Sequence, residues 1–338
     1  MTLSRALATL SVAATLPNAV LAADLTPVKF GTNWVAQAEH GGYYQALANG
    51  YYADCGLAVE IVPGGPQVNN GAMLMAGKID FYMAGNLLGP FNAIAEGIPV
   101  KIVAAHFQKE PQIIMTHPGK VKSFEELKTL DKLFLGDDGF QSYYQWMITS
   151  FGFTPDARVP YTFNPAPFIA DENSGQQGYI TSEPFAVEKE GGFKPDIWVL
   201  ADAGFSTYAT LVQTMAETVE TKPEAVKCFV EASNKGWASY LYGDPAPANA
   251  LIMAANPDMP ADQIAFSLAT MKEYGIVDSG TALELGIGAI DPAQVEDFYA
   301  KMVAAGVVKE GLDLGAVYTT EFSNTGVALQ VKKDLGVN

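Results

Sequence analysis

The sequence predicts an α/β protein built as two lobes, and three observations carry that expectation. Strand and helix signals alternate along the chain, which makes a parallel sheet the default. The alternation falls into two blocks, with an extended segment leaving the first near residue 112 and a strand returning to it near residue 210. The chain has 338 residues, 49% of them apolar. That exceeds what one core ordinarily serves, since domains run to about 100–200 residues.

The first block opens on FGTNWVAQAEHGGYYQALANGYYADCGLAVEIVPGG, residues 30–65. Val28–Gly31 reads as a strand. Residues 39–49 read as a helix, with Tyr43, Ala46, Leu47 and Tyr51 at helical spacing. Gly50 and Gly56 punctuate its exit, and residues 57–62 form the second strand of a βαβ unit. In open α/β sheets ligands sit beyond the carboxyl ends of the strands. Asn33, Trp34, Gln37 and His40 fill that position here. A large ring beside three hydrogen-bonding side chains suggests a small-molecule pocket. Gly64 and Gly65 then either leave backbone N–H groups free for a ligand or make a plain tight turn. A short helix over 68–76 leads to a strand at 80–83. Asn86, where a strand hands over to a helix, is an N-cap, a pocket donor or both. VKIVAAHF, residues 100–107, is the next strand.

The second block begins with the extended PQIIMTHPG. Ser123 and Glu126 have the spacing of a capping box. KLFLGDD is a strand, and GFQSYYQWMITSFGF begins a helix with Trp146, Met147 and Ser150 on one face. RVPYTFN is a strand, residues 164–178 a helix and its exit, and residues 179–181 a short strand. A helix starts at Pro184, and residues 196–202 form the last strand of the block. After the return strand, Pro223 sits in the first turn of a long amphipathic helix ending at Tyr242. The remainder reads as helical: Pro247–Ala255, Pro260–Tyr274 and Pro292–Ala305. The expected organisation is a leader at 1–23, a discontinuous first lobe at 24–111 and 211–338, and a second lobe at 112–210. Two crossings between lobes make a hinge around a cleft.

The leader, MTLSRALATLSVAATLPNAVLAA, has one early positive charge, an apolar middle and small residues near its end. It reads as a secretory signal peptide cleaved after Ala22 or Ala23. No later apolar run reaches the roughly 20 residues of a membrane span. The formal net charge of −17 comes with no basic stripe, which excludes a nucleic-acid partner. The acidity reads as a solvated surface. Cys55 and Cys228 could pair in an oxidising compartment, but their spacing does not require it. Cys228 lies on the stripe Val226, Phe229, Val230, Ser233, Trp237 and is expected as a buried small hydrophobe. No Cys/His spacing suggests a metal.

Nucleophile-elbow, dinucleotide, P-loop and zinc-protease motifs are all missing from the sequence. No catalytic residue or cofactor is therefore assigned, and binding without chemistry is expected. The candidate binding residues are Trp34, Gln37, His40, Gly64, Gly65, Asn86, Gln141, Tyr143, Asn164 and Glu183, with Tyr43 and Gln177 beside them. Rings offer stacking surfaces and amides read donor and acceptor patterns. Tyr44 and Trp146 read better as packing. Glu183, just before Pro184, could accept from an amino or amidine-like group; equally, it could offset the helix dipole. Arg158 is the only arginine after the leader. Arginine forks commonly hold anions, so its isolation counts against a strongly anionic ligand.

WVAQAEHGGYYQALANGYY, GLAVEIVPGGP, AGKIDFYMAGN, GYITSEPFAVEKEGG and KPEAVKCFVEASNKGW together resemble the periplasmic solute-binding proteins of ABC importers. The branch is that of thiamine-pyrimidine-precursor binders and the related yeast pyrimidine synthases; taurine, alkanesulfonate and nitrate binders are more distant. The resemblance implies a type II periplasmic-binding-protein fold, a periplasmic location, and a small-molecule ligand handed to a permease in the inner membrane. A monomer is expected. The resemblance also implies that Trp34 and Glu183 serve the site and that His40 matches the synthases' motif histidine. The secretory leader and the missing cysteine-rich motif depart from the synthases. The expected ligand is a small nitrogen heterocycle. The alternatives are a small anion such as taurine, an alkanesulfonate or nitrate, and a secreted enzyme acting on a pyrimidine through His40.

Overall fold

Strand signals separated by helices resolve into two five-stranded sheets in the computed structural model, which describes residues 25–337. The leader at 1–23 lies outside the described residues. The first sheet has the order β2-β1-β3-β10-β4, from β1 (Thr26–Gly31), β2 (Leu57–Val62), β3 (Phe81–Asn86), β4 (Val100–Phe107) and β10 (Ala209–Met215). The second has the order β7-β6-β8-β5-β9, from β5 (Gln112–Thr116), β6 (Lys132–Leu135), β7 (Arg158–Pro160), β8 (Ser174–Tyr179) and β9 (Asp196–Val199). The chain passes between the sheets twice, from β4 to β5 and from β9 to β10.

Neither sheet is purely parallel, which corrects the default expectation. β10 runs antiparallel to both β3 and β4, and β5 antiparallel to both β8 and β9. Each is the strand that arrives directly from the other sheet, with no crossover helix to turn it around. The central strands are nearly continuous apolar runs. β4 and β10 are buried almost throughout, as strands covered on both faces must be.

The first β-α unit docks its helix Gly41–Ala48 tightly on the long helix Pro223–Tyr242. Glycines permit that approach. A Cβ on Gly42 would lie 2.1 Å from the Trp237 ring, and one on Gly236 would lie 2.1 Å from the Gly42 carbonyl oxygen. Cys55 and Cys228 form a disulfide across this layer, closing a sequence separation of 173. The buried-hydrophobe expectation for Cys228 is thereby corrected. The stripe that buries Cys228 is also what brings it to the turn before β2.

Three local readings change as well. The strand expected at 179–181 lies at Ser174–Tyr179, in a stretch read as helix exit. Its glycines are packing devices, since a Cβ on Gly175 would lie 2.7 Å from Leu133. The helix expected from Gly139 is two pieces, Asp137–Gln141 and Tyr143–Phe151, broken at Ser142. No reciprocal capping box forms at Ser123. Glu126 instead accepts from the backbone N–H of Lys122 at 2.8 Å.

Candidate functional site

The carboxyl ends of β1 and β8 face one another across the cleft, and the polar loop after β1 fills the gap. The pocket there is lined by Asn33, Trp34, Gln37, His40, Gln112, Asp138, Gly139, Gln177, Gly178, Tyr179 and Glu183. The centre of a water molecule fits in only about 40 Å³ of it. A ring-sized ligand therefore enters when the lobes part. Contacts between the lobes close both rims. On one rim Glu39 accepts from the Thr181 hydroxyl, and Gln263 donates to Ser182 at 3.2 Å. Phe185 stacks on Phe266 at 5.2 Å beside the Lys189–Asp262 pair. On the other rim Asn86 donates to Ser142 at 2.9 Å, and the backbone N–H of Asp137 donates to the Pro66 carbonyl at 3.2 Å.

Trp34 is held by an aromatic wall. Tyr161 lies nearly parallel to it at 6.0 Å, and Phe163 meets it edge-on at 6.4 Å. Gln177, on β8, accepts from the backbone N–H of Gly136 at 2.7 Å and from the Tyr143 hydroxyl at 3.1 Å. Those bonds fix its orientation at the pocket wall. Glu183 stands at the first turn of the helix Glu183–Gly191 and accepts from the Tyr179 N–H at 2.8 Å. Helix N-terminus and carboxylate thus face each other favourably, and Glu183 still lines the pocket.

Gln37 and His40 are 4% and 1% exposed, yet Gln37 Oε1 and His40 Nδ1 have no protein partner. Glu39 is 1% exposed, and its Oε2 is likewise unpartnered. Buried polar atoms are ordinarily paired, so Gln37 Oε1 is open to a donor, while His40 Nδ1 accepts or donates with its tautomer and Glu39 Oε2 carries the proton when that acid is neutral. Burial sets the charges. It pushes Glu39 up to about 8, against the lowering effect of the Thr181 bond, with the Glu183 charge adding to the rise. Burial raises Glu183 to about 7 and Asp138 to about 6, Asn33 opposing the latter through a hydrogen bond. Asp138 keeps a solvent-exposed edge in the cleft, so water screening makes its shift the softest of the three. His40 is pushed down to about 3 by burial and is neutral at pH 7.

The remaining sequence-derived candidates go elsewhere. Gly64 is not free for a ligand: its N–H donates to Thr32 Oγ1 and to the Trp34 carbonyl, both at 3.1 Å. Gly65 does not line the pocket. Asn86 caps the next helix through the Leu88 N–H at 3.0 Å and lines a neighbouring cavity behind Asp138. Gln141 is exposed on its short helix, outside the pocket. Asn164 is also exposed and caps Ala166 at 2.9 Å. Tyr143 stands behind Gln177 rather than in the wall. Tyr43 is a core residue bonded to His106 at 2.9 Å.

Sequence reasoning missed Glu39, Gln112, Asp138 and Tyr179. Glu39 sits between Gln37 and His40, and the sequence marks it only as the start of a helix. Asp138 was assigned to the end of a strand, which hid its position at the cleft.

Residues 37–248, more than half of the chain, match the NMT1/THI5-like family. No curated protein matches the chain by sequence. Among solved structures it resembles the ligand-binding component of an ABC-type import system from Staphylococcus aureus with zinc bound (13% identity, 88% of this chain, 98% of that one, TM-score 0.61). It also resembles a Candida albicans protein described as having the generic periplasmic binding protein fold (16% identity, 93% and 96%, TM-score 0.60). A third is the periplasmic aliphatic sulphonate binding protein of Escherichia coli (13% identity, 87% and 92%, TM-score 0.59). The chain thus has the periplasmic-binding-protein fold.

Proposed function

The chain belongs to the NMT1/THI5-like family, and from that premise we propose that it is the periplasmic solute-binding component of an ABC importer. Its ligand is a small nitrogen heterocycle of the thiamine-pyrimidine-precursor kind, taken between the lobes and delivered to an inner-membrane permease. The observation that carries this reading is the composition of the pocket. Among the described residues, its lining has the rings of Trp34 and Tyr179, four amides, two carboxylates and a neutral histidine, and no lysine or arginine. Trp34 offers the face on which a heterocycle stacks. Gln37, His40 and Glu183 offer acceptors along its edge. Closure brings Glu39 to Thr181 and hides the ligand, a population shift that a permease can read.

The sulphonate binder among the structural relatives makes an anion the obvious competitor. The pocket speaks against it. Arg158 is turned to Asp137 and to the face of Phe140, away from the lining. An oxyanion would meet Asp138 and Glu183 with no compensating charge. An enzyme acting on the same ring would need a nucleophile within reach of His40, and the lining holds no serine, cysteine or lysine.

Isothermal titration of the mature protein with 4-amino-2-methylpyrimidine, taurine, methanesulfonate and nitrate tests the reading. Saturable, stoichiometric binding of the pyrimidine with little salt dependence is expected. Binding of an anion alone, weakening steeply with salt, would overturn it.

A further inference from the structure

The charge around the pocket is lopsided, and the imbalance narrows the ligand further. Two carboxylates, Asp138 and Glu183, line the pocket from the second lobe. Glu39 stands beside Glu183 across the cleft, bonded to Thr181 through one oxygen and open at the other. Glu110 is buried at the crossing between β4 and β5, with only the Gln112 N–H at 3.1 Å on its carboxyl. The other titratable groups facing these acids are His40, Tyr82, Tyr143, Tyr161, Tyr179 and Tyr240. All are neutral near pH 7: burial lowers His40 and raises every one of the tyrosines. The nearby cations are spent outside, Arg158 on Asp137 and Lys189 on Asp262.

A second, independent feature points the same way. Gln37 Oε1 is buried, unpartnered and on the pocket wall and asks for a donor, and the unpartnered Nδ1 of neutral His40 stands beside it. Buried carboxyls are stabilised by an opposite charge or by donors at hydrogen-bond distance.

Resting on the binding-protein reading above, we propose that the ligand is bound as a cation. It is a flat aromatic ring carrying a protonated amino or amidinium group, the ring on Trp34 and the charge between Glu183 and Asp138, with Glu39 beside them. The site thereby selects on charge as well as on ring shape. A ligand that arrives already charged, as an amidinium does, favours the ionised forms of Glu183 and Glu39, so its binding near pH 7 releases protons, whereas a neutral aminopyrimidine takes its proton from them. Burial holds both groups partly protonated in the free protein.

Three probes of one shape and three charges test this: benzamidinium, benzamide and benzenesulfonate, titrated calorimetrically at pH 7 in two buffers of different ionisation enthalpy, beside 4-aminopyrimidine. Benzamidinium is expected to bind at least tenfold more tightly than benzamide, with net proton release. Benzenesulfonate is expected not to bind. E183Q, which keeps an acceptor for the Tyr179 N–H, is expected to cut the preference for benzamidinium over benzamide at least tenfold and to lessen the proton release. Equal binding of benzamidinium and benzamide, no binding of benzamidinium, or no proton release overturns the proposal. So does an E183Q variant that weakens both probes alike, because that is what a purely structural role would do. If 4-aminopyrimidine binds while benzamidinium shows no advantage, the cation proposal fails and the heterocycle reading stands. Tightest binding by benzenesulfonate would sink both.

Discussion

Replacing Glu39 with glutamine should make the protein more stable at neutral and alkaline pH, though it alters a residue at the binding cleft. Glu39 is buried and its pKa is raised from 4.5 to about 8. The folded protein therefore holds a proton on this carboxyl that the unfolded chain gives up above pH 4.5. The sign follows from linkage. Stability is greatest below the unfolded value, falls through the window from about 4.5 to 8, and is flat above it. Each pH unit in that window costs about 1.4 kcal/mol, and the whole window about 4–5 kcal/mol. Parting the lobes exposes the carboxyl to water, so the loss is capped at the cost of opening. E39Q copies the protonated acid: it accepts from Thr181 as Glu39 does, and it does not titrate. Shifts at Glu183 and Asp138 persist in both proteins and largely cancel in the difference. Urea midpoints at pH 5, 6.5 and 8 measure it. Wild type and E39Q should be close at pH 5 and diverge as pH rises, with the variant the more stable. Superimposable profiles would refute both the burial of Glu39 and the pH linkage drawn from it.

Other consequences follow from the packing. Removing the disulfide with C55A/C228A frees a loop of 173 residues and should cost up to about 5 kcal/mol by chain entropy, read as a lowered urea midpoint. G42A drives a methyl to 2.1 Å from Trp237; the overpacked helix pair should lose about 3 kcal/mol or more, or yield no folded protein in circular dichroism. W34A removes the stacking face and should weaken binding of 4-amino-2-methylpyrimidine by about 1–3 kcal/mol, roughly 5- to 150-fold. A W34A affinity equal to wild type would remove Trp34 from the site.

Much of the fold was legible because hydrophobic periodicity and glycine punctuation agree along the chain. The strand 57–62 and the helix Pro223–Tyr242 fall where the sequence puts them. Their apolar spacing is regular; the strand follows Gly56 and stops before Pro63, and the helix begins at Pro223 and stops before Gly243. β8 was hidden because SGQQGY has little strand propensity by composition. Its small residues are set by close packing on β6 and β5, a tertiary demand. The antiparallel strands were hidden for a related reason, since local signals carry no direction.

In the site, Trp34, Gln37 and His40 were visible because one loop carries all three past the end of one strand. Glu183 was visible from its place at a helix start. Asp138 and Gln112 come from separate segments around the second sheet, and only the closed arrangement sets them against the loop that carries Trp34. Gly64, Asn86 and Asn164 look like pocket donors in sequence. In space each completes a turn or a cap, because backbone groups near strand and helix ends must be satisfied first.

The most direct test of the central claim is native mass spectrometry of the mature protein isolated gently from the periplasm of cells that express it. A bound mass matching an aminopyrimidine, lost on mild activation and diminished in W34A, is the predicted result. A bound sulfonate or nitrate, or a heterocycle retained undiminished by W34A, would contradict it.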